Sequence, residues 1–188
     1  MDLFRVFEWD GRSLGRREGG PLFVPRSRQG AGRHDSPARY GAWYCSRDPV
    51  SAVAESIQAF RGQPLTDDDF LRAGGVTKAI VGLRAEAGLH LVDLDDPSEL
   101  AARRVRPSRV ATRTRNATQA LAVSIFNEGA GGLLWWSILE AAWINATLFH
   151  ERALPFTSIV VPPRKLSTAL PEVQQAADQL GVHLSRAR

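Results

Sequence analysis

The sequence predicts an α+β fold, and three observations point there. Short apolar runs such as Ala42–Cys45 and Leu133–Trp136 read as buried strands. Pro49–Phe60 and Pro171–Leu180 carry apolar residues at helical spacing. The two kinds of segment follow one another without the regular strand–helix alternation of a doubly wound sheet. At 188 residues the chain can bury a sizeable core, and a single domain over residues 1–188 is expected.

From Leu3 to Trp9, Phe4 and Val6 alternate with polar residues, predicting a first strand with Arg5 on its polar side. Gly11 to Ala38 is dense in Gly, Arg, Ser and Pro, too long for an ordinary connection and of the kind that often carries function. Asp48 and Pro49 supply an N-cap and a first-turn proline for a helix to about Phe60, with Val50, Val53, Ile57 and Phe60 at core spacing. Thr66 is placed to cap a small helix opening with Asp67, Asp68 and Asp69 and stopped by Gly74 and Gly75. Strands are expected over 76–83 and 90–94, a helical turn or two over 97–103, and a longer helix over 117–127 ended by Gly129. Strands at 133–136, 146–150 and 158–161 follow, and a helix at 171–180 ends at Gly181. Neither internal repeats nor low-complexity runs interrupt the pattern.

Composition narrows the setting. The chain is 44% hydrophobic and 23% charged, the balance of an ordinary soluble domain, and its one cysteine cannot form an internal bridge. The longest apolar stretch, 133–149, is broken by Glu140 and Asn145, and charged residues interrupt the N-terminal segment, so neither a membrane span nor a secretory signal is expected. The expected location is the cytoplasm. Basic residues number 24 against 20 acidic ones, and only Lys78 and Lys165 are lysines, so 22 are arginines. Arginine grips phosphate in a planar, bidentate way. An Arg- and Ala-rich composition also suits a GC-rich genome, so position must identify the arginines that matter.

Standard motifs are few. Arg33, His34 and Asp35 follow the glycines at 30–32 where a dinucleotide fingerprint requires a helix. His34, His90, His150 and His183 lie far apart with no zinc spacing, so structural histidines and no metal are expected; Cys45, in the run WYC, reads as a small core residue. Arg33, Tyr44 and Glu55 recur at equal separations of 11 residues. From charge statistics alone, Glu55 reads as a solvated helix carboxylate.

Resemblance changes that reading. FRV near the N-terminus, GAGRHD, AWYCSRDPVSAVAES, then GGLLWWS and NATLFHER resemble the RES domain, named for its Arg, Glu and Ser, over about residues 3–152. The strand and helix at 158–181 lie beyond the matched motifs. Arg5 fits the family's early strand arginine, Arg33 the arginine of its Gly-Gly-Arg-Trp-Asn element, Tyr44 the tyrosine before the helix, Glu55 the helix glutamate and Ser137 the late serine. Here His34-Asp35 replaces the family's Trp-Asn, and Trp135-Trp136-Ser137 its aromatic-Pro-Ser.

The resemblance implies an ADP-ribosyltransferase-like mixed sheet with flanking helices. It implies a bacterial toxin, usually paired with an Xre-type antitoxin, that degrades NAD as a glycohydrolase or phosphorylase, or transfers ADP-ribose to a protein. NAD is then the substrate, inorganic phosphate a candidate co-substrate, and no other cofactor is expected. Catalysis would rest on Glu55, Arg33 and Tyr44, and NAD binding on Arg5, Arg33, Tyr44 and Ser137. Such chemistry suits these residue types: a carboxylate stabilises an oxocarbenium-like ribose, guanidinium groups clamp pyrophosphate, and an aromatic ring receives nicotinamide.

A reading from another class is a non-catalytic basic protein that binds nucleic acid through Arg103, Arg104, Arg106, Arg109, Arg113 and Arg115. No aromatic residue interleaves with them and no helix-turn-helix accompanies them, so contact with an acidic antitoxin or plain solvation is at least as good a reading. Nucleic acid is expected to be reached through the antitoxin rather than by this chain itself. Oligomeric state stays open.

Overall fold

A computed structural model describes residues 1–185. Strands β1 (Asp2–Trp9), β2 (Ala42–Ser46), β4 (Thr77–Ala85), β5 (Leu91–Asp93), β6 (Gly132–Trp136), β7 (Ile144–Phe149) and β8 (Thr157–Lys165) form a mixed sheet in the order β5-β6-β7-β2-β1-β4-β8. A separate parallel pair joins β3 (Pro64–Leu65) to β9 (His183–Leu184). The helices are α1 (Pro49–Ile57), α2 (Pro97–Ala102), α3 (Pro107–Val110), α4 (Arg115–Asn127), α5 (His150–Ala153) and α6 (Pro171–Leu180). The predicted α+β class is the observed one. Among the described residues no helix is long and apolar enough to cross a membrane.

The chain forms two compact units. The first comprises Met1, Val24–Cys45 and Arg84–Ser158; the second comprises Asp2–Phe23, Ser46–Leu83 and the chain from Ile159 onward. In the first, β5 runs parallel to β6, and β6 pairs antiparallel with β7, Trp135 facing Asn145. Val92, Leu94, Ala122, Ile125, Leu133 and Phe149 are buried in one apolar cluster with Tyr40 and Trp135. Tyr40 packs against Phe126 and Phe149 at ring separations of 4.8 and 4.4 Å. Each aromatic contact contributes roughly 0.5–1.5 kcal/mol beyond its buried area. Burial of the Tyr40 hydroxyl is offset by a 2.8 Å bond to the His34 carbonyl.

In the second unit α1 packs on β1 and on α6. Asp48 caps α1 as predicted, accepting from the Ser51 N–H at 3.0 Å with Pro49 in the first turn. Val50, Val53 and Ile57 are buried, and so are Ser51, Ala52 and Ala54, so α1 is enclosed on most sides. Gly181 ends α6 at φ 67°, a left-handed position that costs a glycine little.

Several expectations need correction. On β1 the buried side chains are Leu3, Arg5 and Phe7, whereas Phe4 and Val6 are half-buried; the alternation is real but the faces are exchanged. The segment after Thr66 is a 3-10 turn, Asp67–Phe70, that ends at Leu71 rather than at the glycines. Thr66 donates its hydroxyl to Asp69 at 2.9 Å, and Asp69 also accepts the Thr66 N–H at 2.8 Å. The Thr66 side chain accepts the Asp69 N–H in return, so the two residues close a capping box and the predicted cap is present. His150 opens α5 instead of closing a strand, and Asn145 is buried within β7.

Candidate functional site

In the first unit the glycine-rich loop 30–35 is organised by Asp35, 6% exposed. One carboxylate oxygen accepts the N–H groups of Gly30 and Gly32, both at 2.7 Å, and the other accepts the Tyr44 hydroxyl at 2.7 Å. That hydroxyl in turn accepts the His34 N–H at 2.9 Å. The ring from Asp35 through Tyr44 to His34 therefore closes the loop upon β2. Gly32 makes the closure sterically feasible: a Cβ there would lie 2.5 Å from the Tyr44 oxygen and 2.6 Å from Asp35 Oδ1. Burial, and then the Asp35 charge and hydrogen bond, push the Tyr44 pKa far above the ordinary phenol value. Tyr44 is accordingly a neutral hydroxyl, and its half-buried ring stacks on His34 at 6.5 Å.

His34, 1% exposed, stands with Nδ1 2.8 Å from the Thr147 hydroxyl and edge-on to Trp135 at 5.2 Å. Burial first, then the positive charges of Arg33 and Arg115, hold its pKa well below 6.5. It is a neutral, structural histidine. Trp135 donates to the same Thr147 oxygen at 3.1 Å. Arg33, 6% exposed, lies over the Trp135 ring at 4.9 Å and donates to the carbonyls of Val110 and Thr112 at 3.1 and 2.6 Å. A guanidinium this deep tolerates burial because carbonyl oxygens and an aromatic face replace its water.

Helix α4 anchors the loop from the other side. Thr118 donates its hydroxyl to the Arg33 carbonyl at 2.5 Å, and the Gln119 amide donates to the carbonyls of Gly30 and Gly32 at 3.0 and 2.9 Å. Arg115 is three and four residues ahead of them, on the same helix face, and is exposed. Arg104, Arg106, Arg109 and Arg113 are exposed too, whereas Arg103 is held by Glu99 and Glu128. The six-arginine cluster is thus five exposed cations and one paired structural one.

Ser137, 2% exposed, follows β6, and its Oγ accepts the Leu139 N–H at 3.0 Å, so it braces the turn after the strand.

In the second unit the buried Arg5 donates to the carbonyls of Pro21 and Phe23 at 2.6 and 2.9 Å and lies over Phe7 at 5.3 Å. Those two carbonyls are why a cation can occupy the inner face of β1. Glu55 is half-buried on α1, and Gln58 donates to its carboxylate at 3.0 Å.

Arg33 and Tyr44 are thus built around one loop in the first unit, with Ser137 elsewhere in that unit and Arg5 and Glu55 in the second. Thr118, Gln119, Thr147 and Gln58 are partners to which the sequence reading does not point. For Asp35 a signal existed, a carboxylate closing a glycine-rich run, which suits acceptance of the preceding N–H groups. Thr118, Gln119 and Thr147 are set by distant segments and leave no local trace, whereas Gln58 lies three residues after Glu55, a helical neighbour that the spacing could have shown.

Comparison with known proteins adds the following. The family profile described as "RES domain" matches residues 5–178. A solved structure described as the "M.tuberculosis MbcT-MbcA toxin-antitoxin complex" contains a chain of similar fold, with a TM-score of 0.63 and 16% identity, covering 94% of this chain and 88% of that one. No curated protein matches in sequence.

Proposed function

Since this chain belongs to the RES domain family, we propose that it is the toxin of a toxin–antitoxin pair and consumes NAD by cleaving the nicotinamide–ribose bond. The observation that carries the reading is the glycine-rich loop around Arg33, locked by Asp35, Tyr44 and His34. A loop held rigid by these bonds, with the half-buried Tyr44 ring beside it, suits a ring-bearing substrate.

In this reaction the bond from the nicotinamide nitrogen to ribose C1 breaks and its electron pair leaves with nicotinamide, now neutral. Positive charge develops on C1 and the ring oxygen, where the Glu55 carboxylate stabilises it, with Gln58 orienting the carboxylate. Water or inorganic phosphate then supplies an oxygen lone pair to C1; water loses its proton in doing so. The products are nicotinamide and ADP-ribose or its phosphate ester. The family resemblance assigns the pyrophosphate to Arg5 and Arg33, nicotinamide to the Tyr44 ring and a phosphate or ribose oxygen to Ser137; the carbonyls of Pro21, Phe23, Val110 and Thr112 already hold the two guanidiniums, so each arginine also positions the segment around it. Transfer of ADP-ribose to a protein would use the same first step. A cytoplasmic setting suits an enzyme that draws on an intracellular NAD pool; the complex named for the structural neighbour supports an antitoxin as partner, and the family resemblance implies a bacterial source and an Xre-type antitoxin.

Incubating pure protein with NAD, with and without phosphate, tests the reading by nicotinamide release. Glu55→Gln is expected to slow release by about a hundredfold or more, the scale of removing one transition-state electrostatic contact. No release from a folded wild type under either condition, and no label passed from labelled NAD to a protein, refutes it. Phosphate dependence separates phosphorolysis from hydrolysis.

A further inference from the structure

We infer that Arg115, outside every motif that carries the family resemblance, is a diphosphate-binding arm at the mouth of the glycine-rich loop, contributing to the grip on the ADP-ribose portion of a dinucleotide. The inference rests on the proposed reaction for its substrate and on geometry for its residue.

Arg115, Thr118 and Gln119 occupy positions i, i+3 and i+4 of α4 and therefore one face. Two of the three are committed to the loop: Thr118 holds the Arg33 carbonyl, and Gln119 holds those of Gly30 and Gly32. The third must project beside the same loop, and it is exposed.

Its placement opposes local electrostatics. Arg115 is in the first turn of a 13-residue helix, at the positive end of the helix dipole, and no acidic residue shares that turn. Buried Arg33 adds a second positive charge at the loop, and both act on His34. With the Asp35 carboxylate between them, Arg33 and Arg115 leave the loop one positive charge in excess, to which a diphosphate is attracted. A guanidinium can take two phosphate oxygens at once.

The same features separate Arg115 from its neighbours. Arg103 is held by Glu99 and Glu128, and Arg106 precedes α3, off the α4 face that carries Thr118 and Gln119. Arg106→Ala is therefore a charge-matched control for the loss of one exposed cation.

The experiment compares wild type, Arg115→Ala, Arg115→Lys and Arg106→Ala in NAD turnover and in calorimetric titration with ADP-ribose, with thermal unfolding to establish that each is folded. Loss of a charge-assisted contact at an exposed position is expected to raise KM and the ADP-ribose Kd of Arg115→Ala about tenfold, with kcat little changed. Arg115→Lys is expected to fall between, since lysine keeps charge without the fork, and Arg106→Ala to match wild type. Equal ADP-ribose affinity in wild type and Arg115→Ala, or equal losses in Arg115→Ala and Arg106→Ala, overturns the inference. A wild type that binds no ADP-ribose overturns it as well. A wild type that binds ADP-ribose yet shows no NAD turnover and no label transfer refutes only the proposed reaction, and the titration still decides on Arg115.

Discussion

Asp35 offers the sharpest test of how the loop is held, because one carboxylate takes three short hydrogen bonds, from Gly30 N–H, Gly32 N–H and the Tyr44 hydroxyl. Asp35→Asn keeps the shape but supplies one acceptor oxygen. If that oxygen turns to the two glycine N–H groups, the amide nitrogen faces Tyr44, whose hydroxyl already accepts from His34 N–H, and the tyrosine proton loses its acceptor. One charge-assisted bond is lost, which costs about 1.5–3 kcal/mol. Asp35→Ala strands all three donors; the penalties overlap as the loop relaxes, giving about 4 kcal/mol. That is a large part of the ~5–15 kcal/mol available to a folded domain. Urea unfolding followed by tryptophan fluorescence reads the effect. With a urea slope of about 2 kcal/mol/M, Asp35→Asn moves the midpoint down by about 1 M and Asp35→Ala by about 2 M. Tyr44→Phe should cost less in the Asp35→Asn background than in wild type, since of the two hydrogen bonds it removes only the one from the His34 N–H is still intact there. Asp35→Ala within 1 kcal/mol of wild type, or additive Tyr44→Phe and Asp35→Asn losses, refutes the account of a loop closed through this carboxylate.

Other expectations follow from the same contacts. Gly32→Ala drives a methyl into the Tyr44 hydroxyl and Asp35 carboxylate and is expected to destabilise by about 2 kcal/mol, measured by the same unfolding curves, whereas a neutral result would mean that the loop and β2 are not in close contact. His34 stays neutral when folded because burial, then Arg33 and Arg115, depress its pKa below 6.5, while the unfolded chain protonates it near that value. Its contribution to stability is therefore full above pH 6.5 and declines as pH falls below it; His34→Gln should flatten that part of the stability–pH curve, and an imidazole NMR signal titrating at 6.5 in the folded protein would contradict this. Glu55→Gln and Arg115→Ala complete the set, the first acting on the rate of nicotinamide release and the second on affinity.

Much of the fold was legible because local chemistry fixes it. Asp48 and Pro49 specify where α1 begins, Gly181 specifies where α6 stops, and the runs at 42–45 and 133–136 become β2 and β6. Register and facing were less legible. β1 alternates as its sequence suggests, yet which face is inner depends on whether the Arg5 guanidinium finds acceptors, and those are the carbonyls of Pro21 and Phe23, well downstream in the chain. Thr66 caps as its sequence suggests, and Asp69, three residues on, completes the capping box.

By itself, the sequence determined the α+β class, most element boundaries and the residues that carry the family resemblance, because capping, periodicity and motif spacing are local properties of the chain. Only the tertiary structure decided what those residues touch. Arg33 is braced by Val110 and Thr112, Tyr44 stays neutral because burial, and then the neighbouring Asp35 charge, disfavour its phenolate, and Arg115 stands on the face of α4 that holds the loop. These partners are separated by 9 to 89 residues. Hydrogen bonds over such separations are created by packing, and the order of residues along a chain does not encode them in any local pattern.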